Sequence, residues 1–217
     1  MKQSIPPPPS ARRGDAQPSP SRGRPRAYDS ELVLEKITAL FWQKGYEATS
    51  LDDISLAAGM KRPSLYLAFG NKEDMYLLAL RRYHTLVRNA VIDELDRRSD
   101  IGVVLRCIYQ RILSIYRSDA KARGCFTIAS LSQELAASAA IQTEIREFHQ
   151  QMGKLLFTRI ATAFENGQLK TGITPAIAVD LIVATQHTIA VRSRVETADH
   201  LTEIFDNLIG LICSQPN

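Results

Sequence analysis

The 217 residues, 45% hydrophobic and 23% charged, describe a folded chain of one or two domains and exclude wholesale disorder; with no run of 18 apolar residues, they also argue against a membrane span. The formal charge of +4 is unevenly placed: residues 1–26 hold six basic residues against Asp15, a net of +5, which leaves 21 basic and 22 acidic residues, or −1, for the rest. A uniformly basic nucleic-acid-binding body is thereby excluded, and any anionic partner is met first by the N-terminal segment.

Seven of the ten prolines also fall within residues 1–26, so this segment sustains neither helix nor central strand and reads as a disordered basic arm. Its opening, MKQSIPPPP, has no apolar h-region; no secretory signal is expected, and the cytoplasm is the expected location. Cys107, Cys125 and Cys213 are an odd number without a CxxC pair, which argues for free thiols and against a disulfide framework or a structural zinc site.

From Tyr28 onward the apolar spacing is helical, with no sustained alternation, so the fold class is all-α. A first helix over residues 30–44 sets Val33, Ile37, Leu40 and Phe41 on one face, and Gly45 closes it. Thr49 or Ser50 caps a short second helix that carries Asp52 and Asp53 in its first turn, where acids favour the helix dipole, and ends at Gly59. The third covers about 62–69, with Pro63 in its first turn. Asn71 caps a long fourth helix reaching as far as Arg98, with Tyr76, Leu80, Tyr83, Val87 and Ala90 at core spacing. Five more helices follow near 100–117, 125–135, 139–166, 175–194 and 198–213, punctuated by Asn166-Gly167, Thr171-Gly172 and Thr174-Pro175, with Thr197 capping the last. The helix over 175–194 is apolar on several faces: either it is central in its own chain, or with the helix after it it forms half of a four-helix interface between two copies.

Leu51 to Phe69 carries the most specific signal. Two short helices meet at Ala58-Gly59-Met60, with Ser55 and Ala58 small enough for a close crossing, which is the pattern of a helix-turn-helix whose second helix enters a DNA major groove. The 19 residues from Ile54 to Lys72 contain no acid, while Lys61, Arg62 and Lys72 bracket the third helix. The bland reading is that these are solvated cations on a small helical cap.

At these positions, across Gly23 to Tyr83, the sequence closely resembles the DNA-binding domain of the TetR family of bacterial transcriptional regulators. The likeness is carried by Phe41 with Gly45-Tyr46, Thr49 to Ile54, Ala58-Gly59, Ser64-Leu65-Tyr66, Phe69 and Asn71-Lys72-Glu73. It implies an arm (residues 1–26), a helix-turn-helix DNA-binding domain (27–75) and, joined by the long helix, a ligand-binding and dimerisation domain (76–217). It further implies a homodimer joined through the last two helices, bound to a palindromic double-stranded operator and released by a small-molecule effector. Dimerisation would hold the two third helices one DNA turn apart, about 34–36 Å. By position, Thr49 and Ser50 are expected at phosphate, Lys61, Arg62, Pro63, Ser64, Tyr66 and Leu67 on the recognition helix, and Lys72 against the backbone. Arg62 has the fork to bond guanine O6 and N7. Lys61 and Lys72 would position rather than specify, and Tyr66 offers its ring to a thymine methyl or sugar. Lys61 stands where many relatives carry Ser or Asn, so the third helix lacks an N-cap side chain. In the arm, Ser21 to Arg26 is similar to an AT-hook core, which would send Arg24 and Arg26 into a narrow minor groove.

Residues 100–217 offer no phosphate-cradling glycine loop, HExxH or nucleophile elbow, and His84, His149, His187 and His200 fall at unrelated spacings. No catalytic residue, metal or cofactor is expected. The effector is expected to be small and apolar or aromatic, lined by Tyr109, Tyr116, Phe126, His149 and Phe157, with Gln186 or His187 as polar contacts. An alternative effector chemistry sits at Cys125, which follows Lys121 and Arg123 at a helix start, a setting that favours a reactive thiol; against it stands a small buried hydrophobe. A helical scaffold or RNA-associated protein acting through its basic tail alone is the competitor from another class.

Overall fold

The computed structural model describes residues 28–95, 100–118, 122–131 and 138–214. The arm, with Arg24 and Arg26, and Lys121 lie outside the described residues. Within them the chain forms nine α-helices: α1 Ser30–Lys44, α2 Leu51–Ala58, α3 Arg62–Phe69, α4 Lys72–Leu95, α5 Ile101–Tyr116, α6 Phe126–Ala129, α7 Ala139–Glu165, α8 Pro175–Arg192 and α9 Ala198–Ile212. The expected helix over 125–135 is a single turn, α6; residues 132–137 lie outside the description. No helix of the described residues is long and apolar enough to cross a membrane.

Side-chain caps set most helix starts. Asp29, Ser50, Asp100, Ser138, Thr174 and Thr197 each accept a backbone N–H from the first turn that follows. Ser50, not Thr49, caps α2, and it does so in a capping box: Asp53 N–H donates to Ser50 Oγ (3.1 Å) and Ser50 N–H to Asp53 Oδ2 (2.8 Å). Lys44 sits 2.9 Å from the same carboxylate, and these bonds, led by that to Lys44, hold its pKa well below the usual range. Asn71 and Asp74 exchange the equivalent pair at the start of α4. At Lys61 no side chain caps α3, as its residue type dictates.

α4 is the spine. α1 and α3 pack against its beginning, α5, α6 and α7 farther along, and α8 lies on α7 and α9. Its 24 residues span about 36 Å at 1.5 Å per residue. The five α4 residues expected in the core are all buried. On α1 the buried stripe is wider than the apolar spacing indicates, because Trp42 and Thr38 are buried as well as Val33, Ile37 and Phe41, while Leu40 is half-buried. α1 therefore buries two sides, one against the helices that follow it and one against α6. Just beyond the ends of α7 and α9, Leu169 and Cys213 form an isolated antiparallel bridge, with Ser214 N–H donating to the Gln168 carbonyl (2.9 Å).

Candidate functional site

α2 and α3 meet at Gly59, whose left-handed backbone (φ 63°, ψ 30°) lets the chain reverse in one residue. The Ser55 hydroxyl donates to the Met60 carbonyl and closes the turn. Leu65 and Phe69 anchor α3 in the core, which turns Arg62, Pro63, Ser64, Tyr66, Leu67 and Ala68 outward together with Lys61. Leu67 is 91% exposed. Arg62 is not a free fork: Nε lies 3.0 Å and Nη2 2.6 Å from Asp52 Oδ1, so the guanidinium leans back across the turn onto α2. Lys72 places its ammonium over the Tyr46 ring at 4.2 Å. Thr49 corrects the sequence expectation. It is fully buried and donates its hydroxyl to the Gly45 carbonyl (2.6 Å), which takes it out of reach of any phosphate. Ser50 stays on the surface, with its hydroxyl donating to Asp53 (2.8 Å).

The second feature is a cavity of about 300 Å³ enclosed by α4, α5, the start of α6, α7 and α8, with Phe205 closing it from α9. It brings together six of the eight residues expected around an effector: Tyr109, Tyr116, Cys125, His149, Gln186 and His187. None of its described lining residues is Asp, Glu, Lys or Arg. At its inner end Gln186 Nε2 donates to the Tyr116 hydroxyl (3.2 Å) and the Tyr83 hydroxyl to Cys125 Sγ (3.4 Å). Burial, and then the neighbouring thiol, push both tyrosine pKa values up, so these hydroxyls remain proton donors. At the rim, His149 and His187 are exposed on one side with ring centroids 5.9 Å apart, and burial followed by the neighbouring His187 pushes the His149 pKa down. Tyr109 stacks face to face on Phe205 at 4.3 Å.

Two expected lining residues lie elsewhere. Phe126 is fully buried, but among Trp42, Tyr76 and Tyr83 rather than in the cavity, because α6 turns it toward α1. Phe157 is 47% exposed: Leu156 and Ile160 hold the inward positions of α7, and a residue one step from Leu156 is rotated about 100° away. The setting expected to activate Cys125 is also weaker than its sequence neighbours indicate. Arg123 places its guanidinium over Trp42 (5.5 Å), and α6 is a single turn with little dipole to offer.

Contacts that were not legible in the sequence join the two features. Trp42 of α1 donates its indole N–H to the Gly124 carbonyl (3.0 Å, buried), one residue before Cys125 in the cavity wall. Gly124 has φ 71°, and a Cβ there would lie 2.9 Å from the Ala190 carbonyl, so this loop is wedged between α1 and the end of α8. A second link runs through His84 of α4. Its ring is within hydrogen-bond distance of Glu144 (2.8 Å) and Thr127 (3.1 Å) and stacks on Phe148 at 3.9 Å; Thr127 and Phe148 both line the cavity.

The family model described as "Bacterial regulatory proteins, tetR family" matches residues 33–79. The HTH-type transcriptional repressor ComR of Escherichia coli (strain K12) is 34% identical over 139 residues, which cover 63% of this chain and 65%, just under two thirds, of that repressor. The HTH-type transcriptional repressor DhaR of Mycobacterium sp. (strain GP1) is 24% identical over 183 residues, 82% of this chain and 90% of DhaR. In fold the chain is similar to a cysteine mutant of the TetR family transcriptional regulator CifR, solved with 26bp operator DNA, at a TM-score of 0.75 and 23% identity over 89% of this chain and 100% of that one.

Proposed function

We propose that the chain, whose residues 33–79 match the tetR family model and which is 34% identical to ComR over 139 residues, is a homodimeric cytoplasmic repressor of the TetR family, released from a palindromic operator by an uncharged ligand bound in the inner cavity. The observation that carries this reading is the cavity itself: a largely apolar chamber with no Asp, Glu, Lys or Arg among its described lining residues, whose wall at Cys125 is one residue from the hydrogen bond to α1. Such a chamber offers no counter-ion, so a carboxylate or ammonium ligand would lose its hydration uncompensated, whereas a neutral aromatic molecule gains apolar burial and finds hydrogen-bonding groups at Gln186 and Tyr116. On the DNA side, Ser50, Lys61, Tyr66 and Lys72 serve the backbone and Pro63, Ser64 and Leu67 face the bases, while Arg62 is held back by Asp52 and reaches the DNA only when released. Residues 27–75 act as the DNA-binding domain and 76–217 as the effector and dimerisation domain.

The test is a DNase footprint on the DNA beside the protein's own gene, repeated with neutral aromatic compounds that raise its melting temperature. A protected palindrome that is lost with such a compound is expected. No footprint overturns the regulator reading, and a footprint unaffected by a compound known to bind overturns the coupling.

The Arg62 to Asp52 ion pair gives a further expectation. Asp52→Asn removes an acid beside the reading face and frees the guanidinium, so binding to a random duplex is expected to tighten several-fold, with the slope of log K against log salt steepening by about one. Anisotropy titrations at several salt concentrations measure it; an unchanged slope would mean that Arg62 does not reach phosphate once released.

A further inference from the structure

We infer that Leu67 selects the operator by packing on a thymine 5-methyl group in each half-site, so that the central read-out of α3 is apolar rather than a guanine-directed ion. This rests on the DNA-binding reading above and adds the chemistry of what is read. Leu67 is 91% exposed on a helix whose other apolar anchors, Leu65 and Phe69, are buried. It is flanked on the outward face by Pro63 at i−4 and Ser64 at i−3, neither of which carries a charge. Arg62, the one side chain of α3 with the geometry for guanine, is turned onto Asp52 by both Nε and Nη2. Around this apolar centre the window from Ile54 to Lys72 holds cations and no acid, which fits the phosphate walls of a major groove and disfavours a basic or wholly apolar partner. In the major groove thymine differs from cytosine by its methyl group as well as by O4 in place of N4, and apolar side chains pack on that methyl.

The experiment uses the full-length chain and a random duplex library to select a preferred site, followed by anisotropy titration of that duplex with single thymines replaced by deoxyuridine, which removes only the methyl group. One position per half-site is expected to lose about fourfold on replacement, and about fifteenfold when both half-sites are changed together, the effect of one buried methyl in each. In Leu67→Ala, a surface change that leaves Leu65 and Phe69 in place, thymine and uracil duplexes are expected to bind equally. Selected binding that ignores every uracil replacement overturns the inference, as does a uracil penalty that persists in Leu67→Ala, or a preference carried by guanines and erased in Arg62→Ala; each leaves the DNA-binding reading standing. A library that yields no preferred sequence overturns both.

Discussion

For the homodimer proposed above, Leu181→Glu is expected to convert dimer to monomer and to lower affinity for a two-half-site duplex by two orders of magnitude or more. The reason lies on α8. Ile177, Leu181, Ala184, Thr188 and Val191 repeat at the alternating four- and three-residue spacing of a helix-to-helix seam, and all five are exposed in the single chain, Leu181 at 40% and Val191 at 58%. On α9, Leu211 is 68% exposed. Their neighbours Ala178, Ile182 and Ile189 are buried inward, so the helix is apolar on two sides, only one of which its own chain covers. A carboxylate in the middle of the seam would be desolvated without a partner on association and disfavours the dimer strongly. Once the copies separate, the second recognition helix no longer benefits from the high effective concentration that the first one gives it, a factor of about 10²–10⁴. Sedimentation velocity and duplex titration measure the two effects. A variant that remains dimeric would place the interface elsewhere.

The second large effect concerns coupling. Trp42→Phe keeps an aromatic ring against Tyr83 and Phe126 but removes the indole N–H from the Gly124 carbonyl, leaving that oxygen without its donor. Free-protein affinity for DNA is expected to change little, since Trp42 is distant in sequence from α3 and buried on the opposite edge of α1's stripe. What is expected to fall is the response to a cavity ligand. The ratio of DNA affinities without and with ligand should shrink about fivefold, the worth of roughly 1 kcal/mol for one buried hydrogen bond. Trp42 is the single tryptophan of the chain, so its emission in the unaltered protein also reports directly on whether ligand binding disturbs this contact. Equal induction in the two proteins would assign the coupling to the His84 and Phe148 link instead.

These two expectations differ in how far the sequence foretells them. The α8 stripe is visible as a helix with too many apolar faces, but the sequence leaves open whether one chain or two cover it, because periodicity reports which side chains avoid water and not what they avoid it against. Trp42 is less legible still. It follows Phe41 and falls just off the regular stripe of α1, and its partner is a backbone carbonyl 82 residues away, for which composition and spacing carry no signal. Phe157 shows the reverse error: an aromatic residue near a presumed pocket is a reasonable candidate until the helix register, set by Leu156 and Ile160, turns it outward. Thr49 and Ser50 are adjacent hydroxyls of similar capping ability, and only the packing of α1 on α2 decides that the first is buried and the second caps.

By itself the sequence determined the all-α class, the bounds of α1 and α3, the acid-free reading face and the resemblance to the TetR family, since each is carried by residues close together in the chain: caps, glycine turns and the 3.6-residue stripe. The tertiary structure alone decided that Arg62 is held by Asp52, that six of the eight expected residues share one largely apolar cavity, and that this cavity is joined to α1 through Gly124. Those facts depend on contacts between residues 10 to 82 positions apart. Such contacts are selected by the way whole helices pack, and a local pattern does not contain that information.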